Sequence, residues 1–274
     1  MRGAGIVALA LLLVASGCAG TLPGEARDQP TSSVTPAPVP ASAAESPSWV
    51  VDGAVDADRL IAAHEERLAD RPYRVTVRWN RIQALPNGTR QTVIRNRLTV
   101  ARPDEYALNV TARVRRGERR RTARPADVIG VTLGSGADSY ADGSTAFVRL
   151  DDSEPRYERR APNLSRYESD VRGLLDWALD VDGSEVRRVD REGETWYVVS
   201  RREKPEKWGV DEFEVRALVS PEGLVEQVTV QYLEDEEAVT VEIRYEAVGT
   251  ATIAEPSWVD ESRSETRNLA NTSG

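Results

Sequence analysis

The sequence predicts an α+β fold that is mainly antiparallel β: an unclosed half-barrel of about ten strands covered by two helices. Three observations predict it. Apolar and polar residues alternate with period two in short runs from Tyr73 to Tyr245, with turn residues between them. Such strict alternation puts one sheet face on a core and the other in water. Two stretches, Asp56–Leu68 and Ser165–Leu179, switch instead to helical spacing. Once an N-terminal address is set aside, about 200 residues remain, enough for one β-rich domain with its own core.

Taken in order, the first helix carries Ala57, Leu60, Ile61, His64 and Leu68 on one face and ends at Arg71-Pro72. Tyr73, Val75, Val77 and Trp79 then alternate with Arg74, Thr76, Arg78 and Asn80, a half-buried strand. Pro86-Asn87-Gly88 turns the chain. Ile94, Leu98 and Val100 share a face of the next strand, and Tyr106, Leu108, Val110, Ala112 and Val114 of the one after. Arg115-Arg116-Gly117 makes a further turn, and weaker strand patterns lie around Val128–Leu133 and Ser139–Leu150. Ser165 and Glu168 have capping-box spacing ahead of the second helix. Its stripe is Tyr167, Val171, Leu174, Leu175, Ala178 and Leu179, and Asp182-Gly183 ends it. Strands follow at Val186–Asp190, Thr195–Arg201, Glu212–Ser220, Val225–Tyr232 and Val239–Val248, with a short edge expected at Ala251–Ile253. Packing both amphipathic helices onto a curved sheet leaves an apolar hollow in its mouth.

The chain begins with an address. A weakly basic Met1-Arg2-Gly3 precedes an apolar run from Ile6 to Ala15, the length of a signal-peptide core and too short to span a bilayer. It closes on Ala15-Ser16-Gly17-Cys18, small residues before a cysteine, the pattern of a lipobox. Cys18 is the chain's one cysteine, so no intrachain disulfide is available and lipidation would consume the thiol. Residues 1–17 are therefore expected as a signal peptide and 18–50 as a lipid-anchored flexible linker rich in Pro, Ser, Thr and Ala. Residues 51–258 are expected as the folded domain and 259–274 as a disordered tail. The expected location is the outer face of the cytoplasmic membrane.

Net charge is −9 at a sequence pI near 5.0, which argues against a nucleic-acid binder. Lys204 and Lys207 are the two lysines among 36 basic residues. This arginine bias fits either a high-GC genome or a halophile.

Several stretches together resemble the haloarchaeal lipoproteins with a LolA-like fold. They are the lipobox ending at Cys18, Tyr140-Ala-Asp-Gly143 with Phe147-Val-Arg149, Ser220-Pro-Glu-Gly-Leu-Val225, and Val248-Gly-Thr-Ala-Thr-Ile253 leading to Pro256-Ser-Trp258. The resemblance covers roughly residues 51–260. It implies a lipoprotein-carrier-like half-barrel plugged by helices, whose hollow in bacterial relatives holds acyl chains. An archaeon has no bacterial-type outer membrane, and an anchored protein cannot shuttle freely. The resemblance therefore implies lipid or apolar-ligand binding and no transport route.

Trp79, Tyr106, Leu108, Trp196, Val198, Tyr232, Val241 and Ile243 are the expected inward residues, lining either a hollow or a filled core. His64, the one histidine, reads as structural. With no second histidine and no spare cysteine, no metal centre, cofactor or catalytic residue is expected, and no Gly-x-Ser-x-Gly elbow is present. Seven arginines fall between Arg113 and Arg124, either a solvated hairpin or a grip for anionic head groups. Glu234-Asp-Glu-Glu237 lacks the ligand spacing of a calcium loop and reads as a charged turn. Asn-x-Ser/Thr sequons place candidate glycans on Asn87, Asn109, Asn163 and Asn271. The expected function is a membrane-anchored, extracytoplasmic, non-enzymatic lipoprotein that binds a lipid or other apolar ligand. The alternative is an envelope scaffold that binds protein partners and no small ligand.

Overall fold

The computed structural model describes residues 46–117, 119–123, 133, 136–150, 155–180, 183–202 and 210–272. The expected signal peptide, Cys18 and the linker as far as residue 45 lie outside the described residues. So does most of the strand expected at Val128–Leu133, of which Leu133 is described as a buried bend.

A two-strand ribbon, β1 (Val50–Val51) and β2 (Ala54–Val55), leads into α1 (Ala57–Leu68). The long central meander is β3 (Tyr73–Leu85), β4 (Gly88–Arg102) and β5 (Glu105–Arg116). β6 (Arg119–Ala123) folds back on β5, and β7 (Asp138–Asp142), β8 (Ala146–Arg149) and β9 (Tyr157–Arg160) carry the sheet to one edge. After α2 (Ser165–Leu179), strands β10 (Glu185–Arg191), β11 (Glu194–Arg201), β12 (Asp211–Val219), β13 (Val225–Glu234) and β14 (Glu237–Glu246) form the other half. The order is β10-β11-β12-β13-β14-β3-β4-β5-β7-β8-β9, with β6 beside β5 and every ladder antiparallel. β10 and β9 do not meet, so this is an open half-barrel, as the alternation predicts. The halves join where Trp79 faces Val241 and Val77 faces Ile243 across β3 and β14.

One face of the sheet forms the main core with α1 and α2. Val75, Val77, Ile94, Leu98, Val215, Val228, Val230, Val241 and Ile243 are all essentially inaccessible there. Asp56 starts α1 by accepting a hydrogen bond from Arg59 N, 3.0 Å away. The expected capping box on α2 is not formed. The backbone cap is Leu164, Asn163 Oδ1 accepts from Arg166 N at 3.3 Å, and Glu168 is held by Tyr73 instead.

Three boundaries differ from expectation. The domain starts before residue 51, because Trp49 is fully buried and stacks edge-on to Tyr197 at 5.6 Å. Most of 259–274, expected as a disordered tail, belongs to a third helix, α3 (Trp258–Thr272). Its first turn holds Asp260 and Glu261, which suit a helix N-terminus. Trp258, Val259 and Ser262 are buried, against Tyr140 and Phe147 in the case of the first two. This cluster includes Ala107, whose neighbours Tyr106 and Leu108 belong to the main core, so α3 covers the opposite sheet face. Ala251–Ile253 is non-strand.

Candidate apolar ligand cleft

The two core helices do not fill the concave side completely. A cleft of about 550 Å³ runs between the C-terminal half of α1, the N-terminal half of α2 and the ends of β3, β4 and β14. That volume lies within the roughly 300–1,000 Å³ usual for small-molecule sites. Strand parity supplies its floor: Tyr73, Val75, Leu98, Val100 and Tyr245 all point to the core face. Helical spacing supplies its walls, Ile61 and Leu68 from α1, and Leu164, Val171 and Leu175 from α2. At the rim lie Asp70 and Arg71, after α1, and Arg102 and Pro103, at the β4–β5 turn.

A few polar groups converge on this apolar space. Tyr73 Oη donates to Glu168 Oε1 at 3.1 Å, tying the sheet to α2. Burial and the Glu168 carboxylate push the Tyr73 phenol well above its ordinary range. Tyr245 is raised too, by burial first and then by Glu168 and Glu65. Glu65 of α1 and Arg172 of α2 close a two-pronged ion pair, 2.6 and 2.7 Å, over the helices. Its members are about half exposed, so it is worth at most about 1 kcal/mol.

His64 sits at the inner end, 1% exposed, its ring edge-on to Tyr245 at 4.4 Å. Nδ1 accepts from Val225 N at 3.2 Å, so the neutral ring carries its proton on Nε2. Among the described residues Nε2 has no hydrogen-bond partner. Burial lowers the imidazole pKa to about 4, so the ring stays neutral at physiological pH.

None of the eight residues expected to line a hollow borders this cleft. Trp79, Tyr106, Leu108, Val241 and Ile243 are packed in the main core, and Tyr232 lies partly buried against it, edge-on to Trp177 at 6.0 Å. Trp196 and Val198 point the other way: Tyr197 and Val199 join the main core, while Val198 borders a shallow hollow on the opposite face and Trp196 packs under Arg191. The cause is parity. Trp196-Tyr197-Val198-Val199 is apolar throughout, so alternation cannot say which pair turns inward. The cleft residues that sequence reasoning passed over, Tyr73, Val75, Leu98, Val100, Val171 and Tyr245, carried the same core-facing signal as the rest of their elements.

Of the sequons, Asn87 is an exposed turn residue. Asn163 is exposed at the start of α2. Asn109 faces outward from β5, its amide donating to Asp138 Oδ1 at 3.2 Å. Asn271 belongs to the last turn of α3. Arg113, Arg115 and Arg116 are exposed on β5, and Glu234–Glu237 is the turn joining β13 to β14.

No family model matches the chain, and no curated protein matches it. Among solved structures it is similar to LprF from Mycobacterium bovis, with 13% identity over 73% of this chain and 96% of that one, at a TM-score of 0.37. A LolA superfamily protein from Nitrosomonas europaea is similar at 12% identity, over 73% of this chain and 96% of that one, at a TM-score of 0.24. Identity and TM-score are low in both, and the half-barrel assignment stands on the sheet order itself.

Proposed function

We propose that this chain is a lipoprotein of the outer face of the cytoplasmic membrane, anchored through Cys18, that holds an acyl chain or similar apolar ligand in the cleft under α1 and α2. The observation that carries the reading is the cleft: a space of about 550 Å³ between sheet and helices, walled mostly by aliphatic and aromatic side chains. Binding is passive. Apolar ligand surface leaves water at roughly 25 cal/mol per Å², about 0.8 kcal/mol for each methylene. No catalytic step is assigned.

The anchoring part of the proposal rests on the lipobox pattern at Cys18. No helix among the described residues is long and apolar enough to cross a membrane. Cys18→Ser is expected to release the protein into the medium, and continued membrane retention would refute the anchor. A scaffold that docks proteins would instead present an apolar patch. Among the described residues the exposed large apolar side chains are Val51 on β1, Ile82 on β3 and Leu150 just after β8.

Native mass spectrometry of protein purified from its own membrane tests the cleft. The expected result is an added lipid mass on the wild type and its absence from Val171→Trp, which plugs the cleft from α2. Wild-type protein that carries no lipid and takes up no fluorescent fatty acid would overturn the ligand-binding reading.

A further inference from the structure

The outward face of the central meander has a charge pattern that the cleft does not explain. On β3, β4 and β5 the residues turned away from the core include Arg74, Arg78, Arg95, Arg97, Arg113 and Arg115. The intervening outward positions from 74 to 80, 91 to 99 and 107 to 115 are Thr, Asn, Gln, Val and Ala, and none is acidic. This concentration sits on a chain whose net charge is −9. Arg78 has a distant carboxylate, Glu242, at 3.9 Å. Among the described residues the other five have no carboxylate partner. Arg78 and Arg95 are direct cross-strand neighbours. Like charges so placed weaken a sheet, so internal stability does not account for them.

The face ends in a built recess. Arg74, Arg97, Arg149 and the carboxylate Asp138 border a hollow of about 530 Å³ together with Thr99, Asn109, Ile253 and Trp258. Arg149 is neutralised by Asp138, while Arg74 Nε is held toward Thr99 Oγ1 at 3.4 Å. Cationic side chains beside the apolar Ile253 and Trp258 suit a lipid, whose phosphate meets the arginines while the start of its acyl chains meets the apolar rim.

We propose that this arginine face docks the domain on an anionic lipid surface, with Arg74 and Arg97 seating a lipid phosphate in the recess. Arginine suits the role because its planar fork meets phosphate oxygens in pairs. Near an anionic membrane each such residue strengthens binding about five-fold. At molar salt the screening length falls to about 3 Å, so direct arginine–phosphate contacts would then carry the attachment. The proposal is independent of whether the cleft holds a ligand.

Flotation of the full chain with phosphatidylcholine vesicles, with and without phosphatidylglycerol, tests the face. Cys18→Ser in every sample removes any acyl anchor, and the N-terminal apolar run is common to all. The protein is expected to float with the anionic vesicles in clear excess over the neutral ones. Arg95→Gln/Arg97→Gln/Arg113→Gln, exposed positions with no ion pair, should weaken this binding about a hundred-fold with an unchanged melting profile. Val171→Trp, with its cleft filled and arginines intact, should float like its parent. In a second measurement, phenylglyoxal should modify Arg95, Arg97 and Arg113 more slowly on anionic vesicles, and Arg187 and Arg188 equally on both. Equal flotation on neutral vesicles, an unaffected triple variant, or no protection of the face would overturn the proposal. So would retention on immobilised polyaspartate without vesicle binding, which would assign the face to an acidic protein.

Discussion

His64 shows how one side chain can make stability depend on pH. Its imidazole is buried as the neutral form with a pKa near 4, against 6.5 for the free side chain. Between these values the unfolded chain binds a proton that the folded chain refuses, so stability falls as pH drops from about 6.5 toward 4 and the whole cost is present below 4. A shift of that size corresponds to about 3 kcal/mol. Denaturant midpoints measured across this window should show the slope, and His64→Gln, which can still accept from Val225 N, should flatten it. Gly223 is a second sensitive position. Its φ is +91°, and a Cβ built there would meet Ala63 Cβ of α1 at 2.5 Å. Gly223→Ala adds left-handed backbone strain of about 1–2 kcal/mol to a helix–turn clash, and urea unfolding should register a loss of at least about 2 kcal/mol. Part of this was legible beforehand. Ser220-Pro-Glu-Gly announces a turn, and His64 lies on the apolar stripe of its helix. That the turn presses against α1 was not legible, because sequence pattern records which face is apolar and not what comes to cover it.

Among the elements, strands with clean alternation were read correctly, and the errors fall where alternation fails. β3 as far as Asn80, β5 and β14 alternate, and their core faces are those expected. β11 has four apolar residues in a row, and its inward pair was assigned to the wrong parity. α3 was missed because its polar composition hides a short buried face of Trp258, Val259 and Ser262. That face is anchored by Tyr157, whose ring lies parallel to Trp258 at 6.2 Å and whose hydroxyl donates to Glu261 at 2.7 Å. Trp258→Ala should cost about 3 kcal/mol, the low end for emptying a buried tryptophan site. Hydrogen exchange should locate the damage: amides of β8 and β9 exchange faster while those of β3 and β4 keep their protection, because α3 touches one end of the sheet. Uniform acceleration across the sheet would mean that α3 supports the whole domain.

Over the whole molecule, the open sheet order separates two surfaces with different chemistry. The core face meets α1 and α2 and leaves an apolar cleft near the ends of β3, β4 and β14. The outward face of the same central strands carries the arginines. Period-two alternation enforces this division, since a residue turned inward to grip a chain has neighbours turned outward to meet water or a charged surface. The cleft escaped a sequence reading because its walls use the same residue types as a filled core; only the standoff between helices and floor distinguishes them. Ligand binding to the folded state alone should therefore appear as stability. A fatty acid at a hundred times its dissociation constant adds about 2.7 kcal/mol. For a domain of this size that amounts to roughly 5–10 °C in melting temperature. Calorimetry with a long-chain fatty acid should show the rise in the wild type, with size increasing with chain length as more methylenes leave water, and no rise in Val171→Trp. Leu98→Trp, which blocks the same space from the sheet, should lose the effect as well. If both plugged variants respond as the wild type does, the fatty acid is binding elsewhere and the cleft is a packing gap.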